Sequence, residues 1–277
     1  MIMSDLYQRS LYLMDIDFLI NSVIIEYDLS KANINILKYK KMISDELYMK
    51  LYNSDRMTRQ VTIGNMMKND RKIYDAVENG FVEARAMFFD ANNIEDNDVL
   101  SIKKDAIFLL RKANLNTFDN LVFNEKNFYT SFYNINPGPG NRKEIYYCRH
   151  PLTKQEYVDI KGIKDEVLYK HKDYFLEFLM VLMECMETDP EEAIYILDTF
   201  IDKYLKRELE VGYYRNFNTE SCYSLLPTMS DLFSIKSGVL SENDKMYVDI
   251  SYNLSILREL RKIVAKYYFL THKKPRC

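Results

Sequence analysis

Apolar positions in the first twenty residues recur at helical spacing. Leu6, Leu13, Phe18 and Leu19, set among acidic and basic residues, predict an amphipathic helix over 4–20 with Ser4 as its cap. The pattern then changes. Residues 22–27 are a short apolar run rich in β-branched side chains, which predicts a buried strand ending in Asp28. Residues 29–41 read as a helix or an extended turn. Residues 44–79 are polar and helical in tendency. Over 73–91, Ile73, Val77, Phe81, Ala84 and Phe88 keep helical spacing, and Asn92-Asn93 supplies a C-cap. Residues 99–110 and 119–135 have strand composition and predict a hairpin around the intervening turn. The only Pro/Gly cluster, 136–143, predicts a loop or subdomain boundary, and 144–148 and 156–160 predict two further strands. Beyond Gly162 the pattern is helical. A long amphipathic helix covers 165–187, and Asp189-Pro190 opens a second one to about Glu210. Residues 212–242 are irregular, and a last long helix spans 243–270. The order predicts an α+β fold, a small antiparallel sheet backed by helices with a helical C-terminal part.

Composition narrows the class. The chain has 277 residues, 47% of them hydrophobic and 29% charged, which is long enough for a core without disulfides or structural metal and excludes global disorder. There are only 7 Gly and 6 Pro, which favours long helices. The net charge of −3 gives no overall basic signature for a phosphate-binding protein, so any nucleic-acid contact must come from a local basic face. Cys148, Cys185, Cys222 and Cys277 form no C-x-x-C pair, and with only His150, His171 and His272 available no zinc spacing exists. Reduced cysteines in a cytoplasmic protein are expected. No signal peptide and no membrane span are expected either.

Two acids stand out chemically. Asp28 ends an apolar strand, and Asp105 is the only acid within residues 99–110. A carboxylate there is costly unless a cation or hydrogen bonds meet it. Two such acids on neighbouring strands would make a hard-oxygen site suited to Mg²⁺ or Mn²⁺. The plainer alternative makes Asp28 a helix N-cap and places Asp105 on a solvent-facing strand position beside Lys103 and Lys104. The Met180, Met183 and Met186 cluster reads as helix-packing core, and the aromatic run 123–133 as core and cross-strand pairs.

Asp28 to Leu37 resembles the first palm motif of family A DNA polymerases, Asp-Tyr-Ser-Gln-Ile-Glu-Leu-Arg-Ile-Leu, with Asn33 and Asn35 at the Glu and Arg positions. Ile102 to Phe108 resembles the palm hairpin motif of families A and B, with Asp105 on the shared metal-binding acid, Lys103 on the extra family B acid and Ala106 on the family A Glu. Arg56, Arg59 and residues 61–64 are similar to the fingers helix, and residues 157–163 to the Lys-Gly stretch that follows the hairpin in family B.

The resemblance implies a reduced palm, similar to those of phages or mobile elements, over 1–163, with a short fingers insert at about 38–72 and a thumb-like part over 164–277. No exonuclease segment is expected ahead of the first motif. It implies template-directed addition of nucleotides to a 3′-end by two-metal chemistry. Asp28, Asp105 and the Leu29 carbonyl would hold metal, Arg56 and Arg59 would meet the triphosphate, and Lys161 the duplex backbone. The implied partners are nucleoside triphosphates and nucleic acid, a DNA primer–template ahead of RNA, in the cytoplasm of a host if the protein is viral. Ala106, Lys103 and the short insert equally suit an inactive palm-fold protein that binds nucleic acid or serves assembly. A helical interaction protein with chance motif matches is the third alternative.

Overall fold

The computed structural model describes residues 4–138, 140–149, 155–163, 168–169, 171–214 and 251–272. Expectations for 164–167, 215–242 and 243–250, for His150, Cys222 and Cys277, and for the basic residues after His272 lie outside the described residues. The fold is α+β. Two compact units are present, Met1–Asp15 with Val23–Phe128, and Ile16–Ser22 with Tyr129–Cys277. The division therefore lies at Phe128/Tyr129, upstream of the boundary at 163 expected from sequence, because the strands after Tyr129 share a core with the C-terminal helices.

The first unit holds β1 (Leu11–Leu13), β3 (Ile24–Leu29), β4 (Val99–Lys103), β5 (Ala106–Leu109), β6 (Thr117–Phe118) and β7 (Leu121–Tyr129), in the spatial order β1-β4-β5-β3-β7-β6. Four helices intervene between β3 and β4: α1 (Ala32–Tyr39), α2 (Asp45–Tyr52), α3 (Arg56–Asn69) and α4 (Arg71–Asn92). Their starts follow from side-chain caps. Ser44, Asp55 and Asp70 each accept a hydrogen bond from a backbone N–H of the first turn. Asn93 ends α4 in the left-handed conformation (φ 49°), as the Asn-Asn pair predicts.

Alternation along β3 sends Ile25, Tyr27 and Leu29 to the helical side, where they meet Ile36 of α1 and Val77, Phe81 and Phe88 of α4. Phe88 stacks on Phe123 of β7 at 4.4 Å. Helices α1 and α4 approach so closely that a Cβ on Gly80 would lie 2.1 Å from Ile36 Cγ2.

The second unit holds β2 (Phe18–Leu19), β8 (Ser131–Ile135), β9 (Lys143–Arg149) and β10 (Glu156–Lys161), in the antiparallel order β10-β9-β8-β2. It also holds α5 (Phe175–Thr188), α6 (Pro190–Lys206) and α7 (Ser251–Thr271). Tyr133, Ile145 and Tyr147 from the sheet pack with Leu179, Met183, Met186, Leu197 and Leu257 from the helices. Met183 and Met186 are thus core, as expected, while Met180 is half-buried.

Three expectations change. Residues 4–20 are not a helix but a 3-10 turn at Asp5–Gln8 followed by two short strands in different sheets. The hairpin expected between 99–110 and 119–135 is instead internal to 99–110, where β4 pairs with β5. Residues 119–135 divide into β7 and β8, one in each sheet. The long helix expected over 165–187 is interrupted by a turn at 171–174: residues 168–169 are helical, and α5 runs from Phe175.

Candidate functional site

The site is built from the register of three strands in the first unit. β3 runs antiparallel to β5 with Asp28 opposite Ala106, and β5 runs antiparallel to β4 with Ala106 opposite Lys103. The two residues joining β4 to β5 are Lys104 and Asp105. Lys104 takes φ 53°, a left-handed backbone that turns the chain in two residues without a glycine. The Leu29 N–H then donates to the Asp105 carbonyl at 2.9 Å. Asp28 and Asp105, 77 positions apart in the chain, are thereby neighbours at one end of the sheet. Asp28 is half-buried and Asp105 is exposed. Asp28 is not an N-cap, since Lys31 holds that position on α1, and Asp105 sits in the turn instead of within a strand.

The corner is held from the helical side. Arg85 of α4 is 2% exposed, and its Nε and Nη1 donate to the carbonyls of Tyr7 and Lys104 at 2.7 and 2.8 Å. Burial pulls its guanidinium down to about 10, with Glu78 opposing part of that effect. The Lys104 ammonium pairs with Glu78 at 3.0 Å and lies over the Phe81 ring. At the end of β3, buried Asn35 donates to the Ser30 carbonyl at 2.7 Å and accepts from the Tyr48 hydroxyl. These bonds fix the exit of the chain from Asp28 into α1.

Cross-strand partners share a face, so Leu11, Lys103, Ala106 and Asp28 form one row across four strands. That face lies opposite the one packed on the helices. Glu26, two residues before Asp28 on the same face, is 1% exposed, accepts from Asn127 at 2.7 Å and has the Lys126 ammonium 3.6 Å away. Among the described residues no three Asp, Glu, His or Cys side chains cluster as a metal-binding group. The two acids are backbone neighbours: Asp28 pairs with Ala106 in the sheet, and Asp105 stands beside Leu29 in the turn.

The remaining expected residues lie elsewhere. Arg56 is exposed on the first turn of α3, and Arg59 Nη1 donates to the Ser54 carbonyl at 3.0 Å, which ties it to the α2–α3 turn. Lys161 belongs to the second unit, where its ammonium pairs with Asp159 at 2.6 Å, and Asp159 also accepts from the Tyr129 hydroxyl at 2.9 Å.

The chain matches the family described as Bacteriophage PBS1 gene 130 protein over residues 1–266. It belongs to that family. The match covers both compact units and makes this a phage protein family. No curated protein matches the chain. No described helix is long and apolar enough to cross a membrane.

Arg85 and Glu26 escaped the sequence reading, and Asn35 entered it only as a departure from the palm motif. Arg85 left a visible signal, since a charged residue stands on the same helical stripe as Phe81, Ala84 and Phe88. Glu26 stood inside an apolar strand, where burial demands a partner. Asn35 gave no comparable signal, because a helix position alone does not show what its amide meets.

Proposed function

We propose that the protein transfers nucleotidyl groups from nucleoside triphosphates to the 3′-end of a nucleic acid, a DNA primer–template ahead of RNA, with Asp28 and Asp105 as the metal-holding acids. The register that makes these two residues neighbours supports this reading. In the reaction the 3′-hydroxyl oxygen bonds the α-phosphorus and the α–β phosphoanhydride bond breaks. Pyrophosphate leaves and the hydroxyl proton passes to water. Bound Mg²⁺ or Mn²⁺ would supply Lewis-acid polarisation of the phosphate. Asp28 and the Leu29 carbonyl would orient the ion from β3, and Asp105 from the turn. The experiment is extension of a 5′-labelled primer on a DNA template with Mg²⁺ or Mn²⁺. Incorporation that is abolished by EDTA supports the reading, and no incorporation with either ion contradicts it.

A second reading has its own observation. Lys103 shares the row of Asp28, and among the described residues no three metal-ligating side chains cluster there. Both facts suit a palm-like protein that binds nucleic acid without turning over triphosphates. Such a protein would bind DNA or RNA with steep salt dependence and no requirement for Mg²⁺.

A further inference from the structure

We infer that the outer face of α6 is a self-association surface, on which a second copy of this chain packs its own α6 antiparallel about a two-fold axis. The inference goes beyond the nucleotidyl-transfer reading and does not depend on it.

Helix α6 is core on one side and open on the other. Ala193, Leu197, Phe200 and Tyr204 are buried, while Tyr195 is 67% exposed. Beside Tyr195 runs an apolar groove of about 370 Å³ between α5 and α6, with Phe178, Val181, Phe200, Leu209 and Tyr213 among its walls. Phe178 and Phe200 stack there at 3.6 Å. A protruding ring next to an apolar groove is a self-complementary shape. A two-fold axis seats each ring in the groove of the other copy. Glu177 on the rim offers the seated tyrosine hydroxyl an acceptor.

Charge selects a second copy as the occupant. Glu192 and Lys203 of α6 are exposed, and neither meets an opposite charge among the described residues. They are separated by about three helical turns, so they share a face roughly 16 Å apart. In antiparallel packing about their midpoint, Glu192 of each copy meets Lys203 of the other. The same register sets half-buried Thr199 against half-buried Ile196 across the axis and brings Tyr195 level with Phe200 of the groove. The acids between the two ends are already neutralised within the chain, Asp198 by Arg261 at 3.0 Å and Asp202 by Lys206 at 2.7 Å. An acidic partner would leave Glu192 unmet and a basic one Lys203, whereas a second copy meets both. The helix macrodipole favours acids in the first turn and bases in the last. It does not set them on one face with an exposed tyrosine between them beside an apolar groove.

The test is sedimentation velocity of the full chain from dilute to concentrated solution. A dimer that dissociates on dilution is expected. Glu192→Lys and Lys203→Glu each set like charges across both contacts and should weaken the dimer roughly tenfold or more. An equimolar mixture of these two variants should recover it, because every like-charge contact becomes an opposite-charge one. Tyr195→Ala should weaken the dimer by a similar factor. Circular dichroism checks that each variant is folded, and Tyr195→Ala alone decides the matter if a charge variant is not. A chain that stays monomeric at every concentration overturns the inference. So does a dimer unchanged in folded Tyr195→Ala, or one that the mixture of folded charge variants fails to restore.

Discussion

The Arg85 guanidinium donates to the Lys104 carbonyl at 2.8 Å and so clamps the turn that carries Asp105 from beneath. The same group holds the Tyr7 carbonyl at 2.7 Å, which joins the N-terminal segment to the hairpin. Replacing Arg85 by Met takes its donors from two part-buried bonds, to the Tyr7 and Lys104 carbonyls. The expected loss is about 2–4 kcal/mol in urea unfolding. Arg85→Lys keeps the charge but not the planar fork, and should lose less. Wild-type stability for Arg85→Met would contradict this clamp.

Gly80 tests the seam between α1 and α4. A helix-interior Gly→Ala change ordinarily stabilises by about 0.5–1 kcal/mol. Here the new Cβ would lie 2.1 Å from Ile36 Cγ2, so overpacking at about 1–3 kcal/mol should win. Thermal unfolding of Gly80→Ala should show a lower midpoint, and Ile36→Ala combined with it should cost less than the sum of the two. A raised midpoint for Gly80→Ala would show that the seam yields.

Alkaline pH tests the second unit. Tyr133 and Tyr147 are buried, and burial pushes both hydroxyls up from their usual value, with Glu187 adding to the effect on each. A raised folded value means that the neutral form stabilises the fold. That stability is full below the unfolded value of about 10 and is lost as pH rises beyond it. Absorbance at 295 nm should therefore show some tyrosines ionising only together with loss of helical circular dichroism. Complete, reversible ionisation near pH 10 with the helical signal intact would contradict this.

The start of α6 gives a local test. Asp189 Oδ1 accepts from the N–H groups of Glu191 and Glu192, each at 3.1 Å, ahead of Pro190. Asp189→Ala should cost about 1 kcal/mol, and Asp189→Ser should restore most of it. Equal stability of all three proteins in urea would remove the cap from the account.

How much of this was legible depended on how local its cause was. The Asp189-Pro190 start and the Asn92-Asn93 stop were readable because caps act within one turn. The strand ending near Asp28 was readable because a continuous apolar run needs no partner to be recognised. Residues 4–20 misled, because their apolar spacing fits a helix while their strands form by pairing with residues far along the chain, Leu11 with Lys103 and Phe18 with Tyr133. The Lys104–Asp105 turn contains no Gly or Asn, so nothing in the sequence marked the left-handed Lys104 that brings Asp105 beside Leu29. Both acids of the candidate site were found from their apolar surroundings. The buried Arg85 that holds one of them in place was not, because its partners are backbone carbonyls.

The most direct measurement is single-nucleotide incorporation by the unaltered chain, Asp28→Asn, Asp105→Asn and the double variant, each confirmed as folded by circular dichroism. Acids that serve one ion together should be non-additive. Each single change is expected to cut the rate roughly 100-fold or more, with the double variant no worse than either. A rate near that of the unaltered chain in either single variant, or losses that multiply in the double, would contradict a shared site at Asp28 and Asp105.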